Sequence, residues 1–488
     1  MVVNSFNFLL FFIIVFIVYY LPICRTNPRF QNIWLFLTSY FFYGFADWKM
    51  IPLLLGSTII FYGIGIWLKN DMKLQNKKRA SNITTMGVIL GICVLLYFKY
   101  LNFFAESFAQ LFNGIGLHVT WTTLNIILPI GVSFFTFKLI SYIIEIHREH
   151  IEACNDFIEF GTYIAFFPTI LSGPIDRPIK FIPQLQKTRL FNYDLAIDGF
   201  RQILWGMFTK MCIADSLNSV INEIWGNLEN STGSTLTIAA LLYAIQMYTD
   251  FDGYSNMAIG VGKLLGINVT RNFNHPLLAR NTAEYWRRWH MSLTTWITDY
   301  VYMPLNIAFR NYNKFGVIIA VIINLVIIGL WHGANWTFGL FGLYHGILFI
   351  PLVFLGVFGN NKKLRPGVGG FPQIKDFLKM IGTFILVSIG LIIFKADNIQ
   401  SSISYFSHIC SPTLLSIPSI NISKFTLLLI VILFVTEWYQ RDKDHPLQWN
   451  FSHLNNKKWI TLVIDYAIIA SILFKGDTSG TQFIYFQF

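Results

Sequence analysis

The chain has 488 residues, of which 54% are hydrophobic, 17% aromatic and only 12% charged, with a mean hydropathy of +0.53. Water-facing globular chains carry about twice that share of charge, which excludes soluble, disordered, collagen-like and nucleic-acid-binding classes and leaves an integral membrane protein embedded in a lipid bilayer. The formal charge of +11, from 36 basic against 25 acidic residues, therefore matters by its position along the chain rather than by its total.

The first apolar run is Phe6 to Ile23. It lacks a charged leader and a small-residue cleavage site, so it is expected to be a retained span rather than a signal peptide. Arg25 and Arg29 follow it. After the runs Ile33 to Phe45 and Ile51 to Trp67 come Lys69, Lys73, Lys77, Lys78 and Arg79, opposed by Asp71 alone. The positive-inside rule predicts that both basic loops are cytoplasmic and the N-terminus extracytoplasmic. Further runs are Ile83 to Phe98, Ile126 to Ile144, Phe157 to Leu171, Ile197 to Ile213, Leu236 to Met247, Phe315 to Leu330, Gly339 to Phe358, Phe377 to Phe394, Phe425 to Val435 and Trp459 to Phe474. Their lengths predict an all-α polytopic membrane protein with about ten to twelve transmembrane helices, forming a single domain over residues 1–488. Asn360 to Arg365 and Gln440 to His445 read as solvated linkers, and Pro366 to Pro372 as a loop. No segment repeats in a second half, which weakens a transporter built on internal repeats.

Between Leu128 and Gly346 the apolar runs are interrupted by Pro129, Lys138, Glu145, Pro168, Pro174, Asp176, Arg201, Lys210, Gln246, Asp250 and Asp252. Ionisable and helix-breaking residues at membrane depth are costly unless they line an enclosed or watery cavity. Residues 128–346 are thus the expected catalytic core.

The densest polar stretch runs from Asn281 to Tyr300 and contains Tyr285-Trp286-Arg287-Arg288-Trp289-His290. Read as one amphipathic helix, it puts Trp286, Trp289 and Trp296 near one stripe and lets Glu284 pair with Arg288. It is either an interfacial helix with snorkelling arginines or a cavity-lining helix holding an anionic substrate. His332 ends the run Phe315 to Leu330 within Leu330-Trp-His-Gly-Ala-Asn-Trp336. An imidazole there is either a structural residue or a base working near neutral pH, with Gly333 and Ala334 leaving room for a ligand. No cysteine or serine nucleophile motif adjoins it. The histidines lack metal-ligand spacing, so no metal is expected, and five scattered cysteines without a CxxC pair predict buried thiols. Tyr248 to Ser255, carrying Asp250 and Asp252, reads as a turn lining the interior. Its two carboxylates are two residues apart, which on a helix point to different faces. Phe166 to Pro178, with three prolines, must break any helix at Pro174.

Together the strings Leu128-Pro-Ile-Gly131-Val-Ser-Phe-Phe-Thr-Phe, Phe167-Pro-Thr-Ile-Leu-Ser-Gly-Pro174-Ile, Tyr285-Trp-Arg-Arg-Trp-His290-Met-Ser-Leu and Leu330-Trp-His-Gly-Ala-Asn-Trp336 resemble those of the membrane-bound O-acyltransferase family. The likeness is to its bacterial branch that includes the alginate O-acetylation protein and relatives acting on peptidoglycan and in teichoic-acid D-alanylation. It implies a funnel of helices with a central tunnel. His332 matches the signature histidine and His290 the second one, while Trp289, Trp331, Asn335, Trp336, Arg287, Arg288, Asp250 and Asp252 are expected to line the tunnel. The implied reaction moves an acyl group, expected to be acetyl, from a cytoplasmic thioester donor such as acetyl-CoA, with no bound cofactor, to an extracytoplasmic polysaccharide. Its partners are that polysaccharide and a periplasmic or secreted esterase-like acetyltransferase, and its location is the bacterial inner membrane. One departure is Lys395 in Ile393-Phe-Lys-Ala-Asp397, where related chains often carry arginine.

The tail 475–488 ends in Phe483-Ile-Tyr485-Phe-Gln-Phe488, too short for another crossing. A C-terminal aromatic motif in related systems is similar, which implies that Tyr485 accepts the acyl group with His332 as base and hands it onward. Two other readings stay open from the sequence: a transporter or flippase-like component of polysaccharide export, with the histidines as proton relays, and a scaffold for an export complex.

Overall fold

The computed structural model describes residues 2–25, 27–121, 123–359, 370–449, 458–476 and 483–484. The expected linker 360–365, most of the Pro/Gly loop and Tyr485 lie outside the described residues. Among those described, regular structure is helical, the local solution for a chain whose amides have no water to bond.

Two compact units are present, Met1–Ile203 with Met257–Thr270, and Leu204–Asn256 with Arg271–Phe488. The first contains α1 (Phe6–Tyr19), α2 (Pro22–Arg25), α3 (Pro28–Asp47), α4 (Ile51–Lys73), α5 (Lys77–Leu95), α6 (Leu101–Gly114), α7 (Val132–His147), α8 (Phe157–Ala165), α9 (Pro178–Leu185) and most of α10 (Tyr193–Met207). The second contains α11 (Asp215–Gly226), most of α12 (Gly233–Leu264), α13 (Thr282–Trp286), α14 (Met291–Ile297), α15 (Met303–Ala308), α16 (Asn313–His332), α17 (Trp336–Phe354), α18 (Ile374–Lys395), α19 (Ile399–Ile409), α20 (Lys424–Tyr439) and α21 (Lys458–Lys475). Five stretches among the described residues are long and apolar enough to cross a membrane: Pro28–Lys73, Lys77–Gly114, Arg310–His332, Trp336–Phe354 and Ile374–Lys395.

In the first unit the two N-terminal strings close on each other. Gly131 has φ +74°, and a Cβ there would stand 2.3 Å from the Ile170 carbonyl oxygen, so only glycine permits this approach. Fully buried Lys138 on α7 donates to the Tyr163 carbonyl at 3.2 Å and to Thr169 Oγ1 at 3.1 Å. It thereby satisfies an irregular segment that has few ladder bonds of its own. The expected break is present: α8 ends at Ala165 and α9 begins at Pro178. The two basic loops share one face, with Arg29 3.6 Å from Asp156 and Lys69 Nζ 2.7 Å from Asn155 Oδ1.

The second unit departs from two expectations. Tyr248 to Ser255 is not a turn but mid-helix in the 32-residue α12. Gly253 serves close packing there, since a Cβ would lie 2.8 Å from the Gly206 carbonyl oxygen. Asp250 and Asp252 do point apart, one to Lys210 and the other to Asn256. Nor is Asn281 to Tyr300 one amphipathic helix: α13 stops at Trp286 and α14 starts at Met291. The Gln440 to His445 linker is only partly solvated, because Gln440 and His445 are buried at its ends.

Candidate active site

His332 is placed by the turn that ends α16. Gly333 is extended, and Asn335 caps α17, its Oδ1 accepting from the Thr337 N–H at 3.1 Å. Asn335 Nδ2 donates to the Asp397 carbonyl at 2.6 Å, so its amide serves the loop geometry at both ends. The sequence indicates room for a ligand beside Gly333, but that space is filled. A Cβ there would meet the Phe338 ring at 2.1 Å, so the glycine admits an aromatic side chain.

His290 sits at the break between α13 and α14 with φ +43°. A non-glycine residue in the left-handed region costs about 1–3 kcal/mol and persists only where its surroundings over-determine it. Asn272 supplies that constraint. Its carbonyl accepts from the Met291 N–H at 2.7 Å, its Oδ1 from Ser292 Oγ at 2.6 Å, and its Nδ2 donates to Ser255 Oγ at 3.1 Å. The Asn274 N–H adds a bond to the Arg288 carbonyl at 3.0 Å. Asn272 is fully buried, and no sequence motif had singled it out. Asn272→Ala is expected to cost about 1–3 kcal/mol by removing its buried hydrogen bonds to Ser292 and Ser255. A thermal melt in detergent checks this, and an unshifted melt would remove Asn272 from the role.

Those two backbone devices bring the histidines onto one aromatic wall. Their ring centroids are 6.5 Å apart. Trp331 lies 5.5 Å from His290 and 5.1 Å from His332. Phe251 meets His290 edge-on at 4.7 Å, and Phe394 meets His332 at 5.2 Å. His290 is fully buried and His332 is 4% exposed. This is a water-poor site, in which fixed dipoles and charges act more strongly than in water.

The remaining sequence-named residues divide by place. Trp289 packs in the same layer, 5.0 Å from Phe273. Arg288 pairs with Glu284 at 2.7 Å, as its spacing indicated, and Arg280 binds the same carboxylate at 3.0 Å. Trp336 is largely exposed. Asp250 belongs to a buried cluster with Lys210 and Asp215, and Asp252 accepts from Asn256 Nδ2 at 2.8 Å. Among the described residues Lys395 donates to Asn222 Oδ1 at 3.0 Å and lies over the Trp225 and Tyr243 rings at 5.3 and 5.1 Å, a point-charge role that does not need a guanidinium fork.

Arg287 and Trp286 line a cavity of about 520 Å³ that also includes Thr298, Asp299, Asn324 and Ile328. That size is ordinary for a small-molecule site. Trp286 Nε1 and Asn324 Oδ1 are buried there without a hydrogen-bond partner among the described residues. Ile328 stands four residues, one helical turn, before His332 on α16, so the cavity reaches close to the histidine wall.

Comparison with known proteins gives the chain's family. Residues 40–358 match the model of the membrane-bound O-acyltransferase family. The chain is 35% identical to the probable alginate O-acetylase AlgI of Pseudomonas aeruginosa over 405 residues, 82% of this chain and 73% of that protein. It is 32% identical to the probable alginate O-acetylase AlgI of Pseudomonas putida over the full length of both. A peptidoglycan O-acetyltransferase of Helicobacter pylori is 29% identical over 77% of this chain and 73% of its own length. The chain belongs to the membrane-bound O-acyltransferase family, as a multi-pass membrane acyltransferase.

Proposed function

We propose that this acyltransferase takes an acetyl group from acetyl-CoA, or a related thioester, on the cytoplasmic side and delivers it for O-acetylation of an extracytoplasmic polysaccharide. The observation that carries the reading is the pair of buried histidines on one aromatic wall, one at the end of α16 and one in the α13–α14 break. At a centroid separation of 6.5 Å the two rings can both approach one reacting group held between them, whereas a direct ring-to-ring hydrogen bond needs atoms about 3 Å apart. His332 takes the proton of the attacking hydroxyl as its oxygen bonds to the thioester carbonyl carbon. The carbon–sulfur bond then breaks, and the proton passes to the departing thiolate. His290, on the same wall, donates to the thioester carbonyl oxygen and steadies the negative charge that develops there as the carbon becomes tetrahedral.

The cavity at Trp286, Arg287 and Asn324 is the seat we assign to the donor. An indole N–H and an amide carbonyl without partners among the described residues suit the amide-bearing arm of coenzyme A, and Arg287 supplies positive charge at the same place. The shared face of the two basic loops supports a cytoplasmic assignment for both, and with it an extracytoplasmic N-terminus in the inner membrane. The relatives' names, alginate O-acetylase and peptidoglycan O-acetyltransferase, support an envelope polysaccharide as acceptor. Tyr485 is the acyl relay in this reading, and a secreted esterase-like transferase completes delivery.

Inverted membrane vesicles given radiolabelled acetyl-CoA test the scheme. Label is expected on protein or polymer, and its absence from both at saturating donor sinks the reading.

A further inference from the structure

The second unit contains an ion cluster that the transfer chemistry above does not use. Lys210, in the π-helical turn after α10, reaches Asp250 Oδ1 at 2.6 Å and Asp215 Oδ1 at 2.7 Å, and all three side chains are at most 2% exposed. Buried charges are costly unless paired and fully hydrogen-bonded. Asp250 Oδ2, the oxygen that Lys210 leaves, accepts the backbone N–H of Ile484 at 2.9 Å. Lys210 Nζ also lies 4.4 Å from the centre of the Phe483 ring, and Tyr254 meets that ring edge-on at 5.0 Å. Phe483 and Ile484 are both buried. Among the described residues, the cluster's hydrogen bonding at Asp250 Oδ2 comes from this far end of the chain.

Its position relative to the histidines follows from helix geometry. Asp250, Phe251 and Tyr254 lie within about one turn of α12. Asp250 and Tyr254 hold Ile484 and Phe483, while Phe251 is the ring packed on His290. The docked pair and His290 are therefore held by neighbouring residues of the same turn of α12.

We propose that Asp250, oriented by Lys210, is a positioning residue that docks the C-terminal segment by its backbone and sets the tail's register beside the histidine pair. A carboxylate taking a main-chain N–H reads the backbone whatever side chain it carries, and the Lys210–Tyr254 face reads the ring before it. The partner class is thus a peptide segment with an aromatic residue followed by an available main-chain N–H, here Phe483 and Ile484 of this chain. The inference rests on the reading that the neighbouring Tyr485 carries the acyl group, and gives that residue a fixed anchor on its N-terminal side.

Hydrogen exchange of the C-terminal peptide in the full-length protein tests it. Ile484→Pro removes the N–H donor and leaves the Lys210–Asp250 pair in place, whereas Ile484→Ala keeps the donor. Exchange of the remaining tail amides is expected to quicken about tenfold or more in Ile484→Pro, the scale of one hydrogen bond to a charged acceptor. Asp250→Ala is expected to match it and Ile484→Ala to stay near the native rate. Native exchange in Ile484→Pro overturns the anchor, whatever the acetylation level. Fast exchange in Ile484→Pro with native polymer acetylation keeps the anchor and overturns the relay role of Tyr485.

Discussion

His332→Ala is expected to lower acetyl transfer from labelled acetyl-CoA by about 10²–10⁴-fold, the usual contribution of a positioned general base, with no change in protein level. The ring is buried at the last residue of α16. Its neighbours Trp331 and Phe394 are held by their own helices, so the truncation should leave the wall standing. His332→Gln, which retains volume and hydrogen bonding but cannot shuttle a proton, should fall as far as the alanine variant. A rate within a few-fold of native in both, with protein confirmed by immunoblot, would remove His332 from the chemistry and leave it a structural residue.

The second large effect concerns the α16–α17 hairpin that delivers His332. Its two helices approach through small residues: a Cβ at Gly329 would lie 2.1 Å from the Phe338 carbonyl oxygen, and one at Gly342 would lie 2.3 Å from the Leu325 carbonyl oxygen. Backbone atoms cannot swing aside as a side-chain end does, so the helices must separate. Helix pairs in lipid associate through such close packing rather than through a hydrophobic drive. Gly342→Ala is therefore expected to destabilise the protein by about 1–3 kcal/mol, typical of overpacking, and to lower activity by displacing His332. Gly339→Ala is the control, because its Cβ would find only the Leu330 side chain at 3.5 Å. Equal melting temperatures for the two variants would show that the crossing does not depend on Gly342.

The placement of the site was legible in part. Polar residues concentrated between Leu128 and Gly346 marked the functional region, and both histidines stood in dense aromatic strings. The family match then favoured a transferase over an export conduit. Helical periodicity misread the strings themselves. It treated Asn281 to Tyr300 as one helix, because nothing local marks His290 as a left-handed residue. The constraint comes from Asn272, eighteen positions earlier in the sequence. The same holds at Gly253, where a residue that reads locally as a turn signal instead admits a neighbouring backbone into contact with α12.

Composition and hydropathy by themselves determined the membrane class, the helical architecture and the region where costly polar groups gather, since burial of apolar surface and backbone hydrogen bonding are local demands that a linear chain displays openly. Tertiary structure alone decided that His290 and His332 share one wall, that the space at Gly333 belongs to Phe338, and that Ile484 ends on Asp250. Each of these is a contact between segments distant in sequence, set by side-chain shape and unsatisfied hydrogen bonds that become definite only when the helices have packed.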